Sequence, residues 1–307
     1  LTGASGFIGN HLLPKLRDEG HNVFSIVRHV AGRYEYLKSE EEQYVFADLT
    51  DSARVRKVVE EVDPQVVIHL AAKTPVSLSF KEPMDFWEIT ATSTVNLAEV
   101  CRDAKNLERF IHASSSEVYG VQEEFPIKEN APYHGVSPYA CAKIAAEHYL
   151  KMLHEVYSFP VIIARPFNTF GRITTKHYVT ERAITTLLEH GEIRLWNPDS
   201  VRDFLYVEDH VAGYLTLLQK GKVGEAYNIS TGKGYSIKEL ANKIISILGY
   251  GRTNFSLAKD RAFEIPKLVG DNAKLRGLGW SPKYDLESGL KETISRWKEI
   301  LKNEGPK

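Results

Sequence analysis

Tyr139 and Lys143 stand four residues apart in Tyr139-Ala-Cys-Ala-Lys143, inside a stretch whose pattern predicts a helix. Residues at that spacing share one helix face, so a phenol and an ammonium can enter the same cleft. A free phenol ionises at about pH 10, too high for a base at neutral pH. A nearby lysine cation favours the phenolate and is expected to lower that value. The lysine can also hold a ribose. Together the two make a proton acceptor beside a hydride acceptor, which is what alcohol oxidation needs. Upstream lies Ser114-Ser115-Ser116-Glu117-Val118-Tyr119-Gly120, after the apolar run 109–113. The carboxyl ends of parallel strands face the ligand crevice. The hydroxyls of Ser115 and Ser116 would then serve an alcohol oxygen, and Glu117 would be a second base.

These groups need a hydride acceptor, and the first residues offer a place for one. Thr2-Gly3-Ala4-Ser5-Gly6-Phe7-Ile8-Gly9 has the spacing GxxGxxG between a strand end and a helix start. Glycines permit a tight turn and let the backbone approach a pyrophosphate. The helix start adds free N–H groups and the positive end of a dipole. Gly3, Ser5, Gly6, Phe7, Ile8 and Gly9 are therefore candidates for dinucleotide binding. An Asp or Glu after the second strand normally reads the adenosine ribose, and an Arg accommodates a 2′-phosphate. Here the run is Ser25-Ile26-Val27-Arg28-His29, with Arg33 near. Arg28 without a carboxylate favours NADP over NAD. Asp48-Leu49 after the third strand could line the adenine, although Asp48, Thr50 and Asp51 all also suit a helix cap. Leu70-Ala71-Ala72-Lys73 after the fourth strand allows close passage of the cofactor. Tyr139 and Lys143 complete the cofactor set.

The elements around these motifs alternate. Apolar runs at 23–27, 44–47, 66–70, 109–113 and 161–164 are separated by amphipathic segments at 8–19, 52–61, 85–104 and 138–156. That spacing implies right-handed βαβ units in a parallel sheet covered on both faces. Ser137 can cap the helix that Pro138 starts, and Ser236-Ile-Lys-Glu239 is a capping box before 240–248. Beyond Gly171 the alternation breaks. The expected architecture is a Rossmann-like, doubly wound α/β domain over 1–170 with a returning segment near 202–228. A smaller α/β substrate-binding domain would occupy 171–307.

Composition bounds the partners. In 307 residues, 39 Lys and Arg against 40 Asp and Glu leave a net charge of −1. That gives no electrostatic footprint for nucleic acid or an anionic membrane. No run approaches the ~20 apolar residues of a membrane span. The two cysteines, Cys101 and Cys141, form no CxxC or His/Cys cluster, so no metal is expected and both read as reduced cytoplasmic thiols. Leu1-Thr2-Gly3 reads as the end of a strand, so the numbering is expected to start a few residues into the natural protein.

Seven motifs in order resemble the extended short-chain dehydrogenase/reductase enzymes of nucleotide sugars, over nearly the whole chain. They are TGASGFIG, DL at 48–49, HLAA at 69–72, SSSEVYG, SPYACAK, RPFNTFG at 165–171 and RDFLYVEDH at 202–210. Arg261-Ala-Phe-Glu264-Ile-Pro-Lys-Leu-Val-Gly-Asp271, Asn197–Phe204 and His177–Thr180 are similar to stretches of GDP-mannose 4,6-dehydratases and GDP-4-keto-6-deoxymannose reductases. The resemblance implies a 4,6-dehydratase acting on a GDP-sugar such as GDP-mannose. A 4-keto-sugar reductase and a UDP-sugar 4-epimerase or decarboxylase are the alternatives. It further implies that Asn168 bonds the sugar-phosphate, that Arg202 clamps the diphosphate, that Arg261 and Glu264 hold the nucleoside and that Val179 lines the substrate site. It also implies a homodimer through a four-helix bundle built from the helices around 85–104 and 138–156.

Overall fold

The computed structural model describes residues 1–28, 43–256 and 263–304. The predicted runs form strands at Phe24–Val27, Gln43–Phe46, Val66–His69, Arg109–Ala113 and Val161–Pro166. Thr2 pairs in parallel with Ile26 on one side and His69 on the other. Gln43–Phe46 lies outside Phe24–Val27. On the far side, Val66–His69 is followed by Arg109–Ala113, Val161–Pro166 and Ala226–Ile229, all parallel. Strand order therefore reverses beside Thr2, and open α/β sheets bind ligands at such a switch point.

Alternation along each strand divides the core between the two faces. Ile68, Ile111 and Ile162 pack with Leu12 and Leu16 of the helix Phe7–Asp18 and with Val211 and Leu217 of Val207–Lys220. Val67, Phe110, Val161 and Ile163 pack with Val55 and Val59 of Ser52–Val62, Leu97 of Ser93–Arg102 and Leu150 of Pro138–Tyr157. Burial on both faces is why the strands read as continuous apolar runs.

Local signals set the helix ends. The Ser137 hydroxyl accepts from the Ala140 N–H at 3.1 Å, Pro138 stands in the first turn, and both bonds of the Ser236–Glu239 capping box are present. Such a cap contributes about 1 kcal/mol. Asp51, not Asp48, caps Ser52–Val62; Asp48 instead accepts from the N–H and hydroxyl of Thr50. The helix expected over 85–104 is three pieces: Pro83–Trp87, a wide π turn Glu88–Thr92, and Ser93–Arg102. The cause is the run Thr90-Ala-Thr-Ser-Thr94. Ser93 and Thr94 donate to the carbonyls of Ile89 and Thr90, at 2.5 and 2.6 Å, bonds that bend helices.

Beyond Gly171 short sheets replace the alternation. Glu192–Trp196 pairs with Arg252–Ser256, and Val201–Arg202 sits between Tyr235–Ser236 and Lys267–Leu268. Phe204–Tyr206 pairs with Asn168–Phe170, which places this part of the chain directly beyond the strand end at Pro166. Among the described residues, no helix is long and apolar enough to cross a membrane.

Candidate active site

The helix Pro138–Tyr157 presents Tyr139 and Lys143 to the end of the strand Arg109–Ala113. Tyr139 is hydrogen-bonded to Ser115 and lies within electrostatic reach of Glu117. Lys143, 2% exposed, donates from Nζ to the Ala113 carbonyl at 2.6 Å. The structure corrects one expectation. Burial pushes the Tyr139 phenol above its ordinary value; the Ser115 bond opposes this and the Glu117 charge adds to it. Lys143 does not counter that rise; its Nζ is turned to the Ala113 carbonyl. Burial in turn lowers the Lys143 ammonium to about 8, with Glu147 pulling upward. The three serines diverge: Ser114 turns inward to Glu147, Ser115 faces Tyr139 and also caps the turn Ser116–Tyr119, and Ser116 is buried.

The glycine turn carries a shape suited to a dinucleotide. Gly3 has φ +69°, and a Cβ there would stand 2.8 Å from the Ala71 nitrogen. A Cβ on Gly9 would stand 2.2 Å from the Gly3 carbonyl oxygen, so helix and turn touch only because it is absent. Gly6, the N-cap of Phe7–Asp18, is exposed, and a Cβ there would meet only the Gly3 carbonyl, at 3.1 Å. The open side of Gly6, with the unpaired N–H groups of a helix start, fits a pyrophosphate. Ser5, Phe7 and Ile8 are half-buried around it, Leu70 and Ala71 lie against Gly3, and Ala72 is half-buried just beyond. Lys73 is committed elsewhere: it pairs with Glu82 at 2.5 Å and Asp85 at 2.8 Å. Leu49 is buried among Val55, Val59 and Leu97, while Asp48 and Arg28 are exposed. His29 and Arg33 lie outside the described residues.

A cleft of about 600 Å³ opens from the strand ends towards the second half of the chain. Glu117, Asn168, Val179, Arg202 and Glu264 all line it. The Oδ1 of Asn168 is buried without a hydrogen-bond partner among the described residues. Arg202 donates from Nη2 to Glu264 at 2.5 Å, and Asn197 reaches the same carboxylate at 3.2 Å. Arg261 lies outside the described residues.

The sequence reading missed several groups at this cleft. Tyr178 lines it, bonds Thr74 at 2.8 Å and acts electrostatically on Tyr139. The Arg172 guanidinium is stacked 3.8 Å from the Tyr178 ring and 4.2 Å from Phe7, joining the cleft to the glycine turn. Arg182 lies over Trp196 at the cleft wall. Tyr178 fell inside the His177–Thr180 segment already singled out, and Arg172 directly follows RPFNTFG; Arg182 carried no positional signal. The motif RDFLYVEDH holds the fold beside the site. Asp203 accepts from Thr231, Gly232 and Gly270, and Asp209 from the N–H groups of Lys283 and Tyr284.

Comparison with known proteins identifies the family. The pattern of the family described as GDP-mannose 4,6 dehydratase matches residues 1–293. The dTDP-D-glucose 4,6-dehydratase of Homo sapiens is 32% identical, over 99% of this chain and 90% of its own. The solved UDP-glucose 4-epimerase of Thermotoga maritima, with UDP-glucose, superposes with a TM-score of 0.91 at 28% identity, over 98% of each chain. The dTDP-glucose 4,6-dehydratase of Streptomyces venezuelae, in a complex with NAD, gives 0.88 at 26% identity, over 97% of this chain and 96% of its own. The chain belongs to the GDP-mannose 4,6 dehydratase family, within the extended short-chain dehydrogenase/reductase enzymes.

Proposed function

We propose that the chain is a nicotinamide-dependent 4,6-dehydratase of a nucleoside diphosphate hexose. The observation that carries this reading is Glu117 on the cleft wall within electrostatic reach of Tyr139, two residues from the Ser115 that bonds Tyr139. Oxidation at C4 needs one base; elimination across C5 and C6 needs a second. Tyr139 acts as the phenolate, its own proton having passed to solvent beforehand; it accepts the C4 hydroxyl proton, and Ser115 orients that oxygen. Lys143 holds the ribose. A dinucleotide held at the glycine turn would supply the chemistry of a reversible hydride acceptor. The C4 ketone acidifies the C5 proton, Glu117 removes it, and the C6 hydroxyl leaves as water with a proton from Ser116 or Glu117. Asn168 bonds the sugar-phosphate, and Arg202 with Glu264 and Arg182 serves the diphosphate and nucleoside end.

For the nucleoside, the segment 261–271 supports a GDP-hexose, and the human and Streptomyces relatives support a dTDP-hexose. Separate incubations with GDP-mannose, dTDP-glucose and UDP-glucose, followed by mass spectrometry, test the reading. Loss of one water from one of them is expected. A changed sugar of unchanged mass would make the chain a 4-epimerase, a reading the Thermotoga likeness favours. No change in any of the three would overturn the dehydratase.

For the cofactor, the exposed Arg28 after Phe24–Val27 supports NADP, while the Streptomyces relative holds NAD. Calorimetry should find NADP the tighter ligand, and Arg28→Asp should weaken it more than NAD. Equal or tighter NAD binding by the wild type would reverse the assignment. Met84 and Trp87 on one helical segment and Val156 on the other are exposed, supporting a homodimer through these helices. A monomer in analytical ultracentrifugation would exclude it.

A further inference from the structure

Tyr139, Lys143 and Glu147 recur at every fourth residue of the helix Pro138–Tyr157. Each is bonded to a different residue at one strand end: Tyr139 to Ser115, Lys143 to the Ala113 carbonyl, and Glu147 to the Ser114 hydroxyl, which donates to Oε1. The first two belong to the chemistry above. Glu147 is fully buried and does not line the cleft. Burying a carboxylate is unfavourable unless charge and hydrogen bonds replace water. Here they do. Arg165 donates to it from Nη2 at 2.6 Å and from Nε at 3.0 Å, and the Tyr133 hydroxyl at 2.7 Å. Arg165 continues to the Tyr119 hydroxyl and the Glu129 carbonyl, and Tyr119 to Asn228. The network thus joins the catalytic helix to the strands Arg109–Ala113, Val161–Pro166 and Ala226–Ile229 and to the turn Ser116–Tyr119.

We propose that Glu147, fixed by Arg165, is a positioning residue that holds Ser115 against Tyr139 through Ser114 and provides the buried counter-charge of Lys143. The proposal rests on the Tyr139–Lys143 chemistry above. Burial alone would raise the Glu147 carboxyl, and the Arg165 charge with three side-chain bonds brings it below its usual value, so it is an anion. The other groups acting with Lys143 supply no negative charge. His69 and His112, on the adjoining strands, are held neutral by burial, His69 down at about 3. Arg165 reaches the site through Glu147, Tyr139 shares the helix, and Glu117 acts on Tyr139.

The test uses Glu147→Gln and Ser114→Ala in the full chain. Lys143 is titrated by NMR on lysine-labelled protein, its signal assigned by loss in Lys143→Arg. In Glu147→Gln the Lys143 midpoint should fall by about one pH unit, and the alkaline limb of kcat should fall with it, since removing an anion favours the neutral amine. Ser114→Ala should lower kcat about tenfold with KM unchanged and the midpoint in place. A folded Glu147→Gln with an unmoved Lys143 midpoint overturns the counter-charge. Wild-type kcat in Ser114→Ala overturns the positioning, and decides it alone where Glu147→Gln does not fold. If no hexose is turned over, the titration still decides the counter-charge, and the failure belongs to the proposed reaction.

Discussion

Lys143 is bonded to the carbonyl oxygen of Ala113 at 2.6 Å, and Tyr139 to the hydroxyl of Ser115. Burial raises the Tyr139 phenol above its ordinary value, next to a lysine whose ammonium is turned to the backbone. Ultraviolet difference titration of the free chain should show no tyrosinate at neutral pH. A neutral-pH tyrosinate that disappears in Tyr139→Phe would restore the lowered phenol. The same variant should lose about 10²–10⁴-fold in turnover, the usual contribution of a positioned base. Its melting temperature and nucleotide affinity should change little. Near-normal turnover would remove Tyr139 from the chemistry.

Much of this site was legible in the residues. Strand–helix alternation located the sheet, because strands covered on both faces read as near-continuous apolar runs. The YxxxK spacing and the serine run at a strand end pointed to side chains that the fold brings together, Tyr139 with Ser115 and Lys143 with the Ala113 carbonyl, because period and position are local properties. What the sequence did not show was the direction of side chains. Three adjacent serines look alike on paper, yet Ser114 turns to Glu147 and Ser115 to Tyr139. Lys73 follows a strand end as a cofactor residue would, and is drawn off by Glu82 and Asp85. The break at Glu88–Thr92 depends on back-bonding hydroxyls, which hydrophobic period does not register.

The glycine turn allows two substitutions to be told apart. In Gly9→Ala the new Cβ falls 2.2 Å from the Gly3 oxygen and 2.6 Å from the Ala4 Cα. Backbone must move, at a cost of about 1–3 kcal/mol. In Gly6→Ala nothing but the Gly3 carbonyl is near, and φ is −84°. Gly6→Ala should melt like wild type and lose at least about tenfold in dinucleotide affinity, since the added methyl occupies the side a pyrophosphate approaches. Gly9→Ala should lose both. Unchanged affinity in Gly6→Ala would move the cofactor away from this turn.

Three fully buried histidines make the fold sensitive to acid. Burial lowers His69 and His210 to about 3 and His112 well below its ordinary value. In each, the unfolded chain takes a proton near pH 6.5 that the folded chain refuses, so stability falls as pH drops below that point. Asp203 acts the other way: burial raises it to about 6, so the folded chain gains a proton there first. The three histidines outweigh Asp203, so stability falls as the pH drops from 6 to 5. Thermal melts should therefore fall steeply from pH 6 to 5. His112 has no partner at either ring nitrogen among the described residues. His112→Phe should raise the melting point at pH 7, by about 1–3 kcal/mol of stability, and flatten the acid limb. A melting temperature constant from pH 7 to 5 would contradict these buried neutral rings.

Glu117 separates the two halves of the proposed reaction. Oxidation at C4 in that proposal uses Tyr139, bonded to Ser115, and Lys143, bonded to the Ala113 carbonyl. Elimination needs a base beside the same sugar ring, and Glu117 is placed on the cleft wall next to Tyr139. Glutamine preserves its size and hydrogen bonding but cannot accept the C5 proton. Glu117→Gln should therefore oxidise its hexose once and stop, with no water lost and turnover down by about 10²-fold or more. The wild type in deuterium oxide should yield product carrying deuterium at C5, because a carboxylate facing the cleft exchanges its proton with solvent before C5 is reprotonated. An epimerase leaves C5 untouched and would return a product with its original hydrogen there. Product formed by the wild type with no deuterium at C5, or a Glu117→Gln variant that still releases water at the wild-type rate, would take the second base away from Glu117 and the dehydratase reading with it.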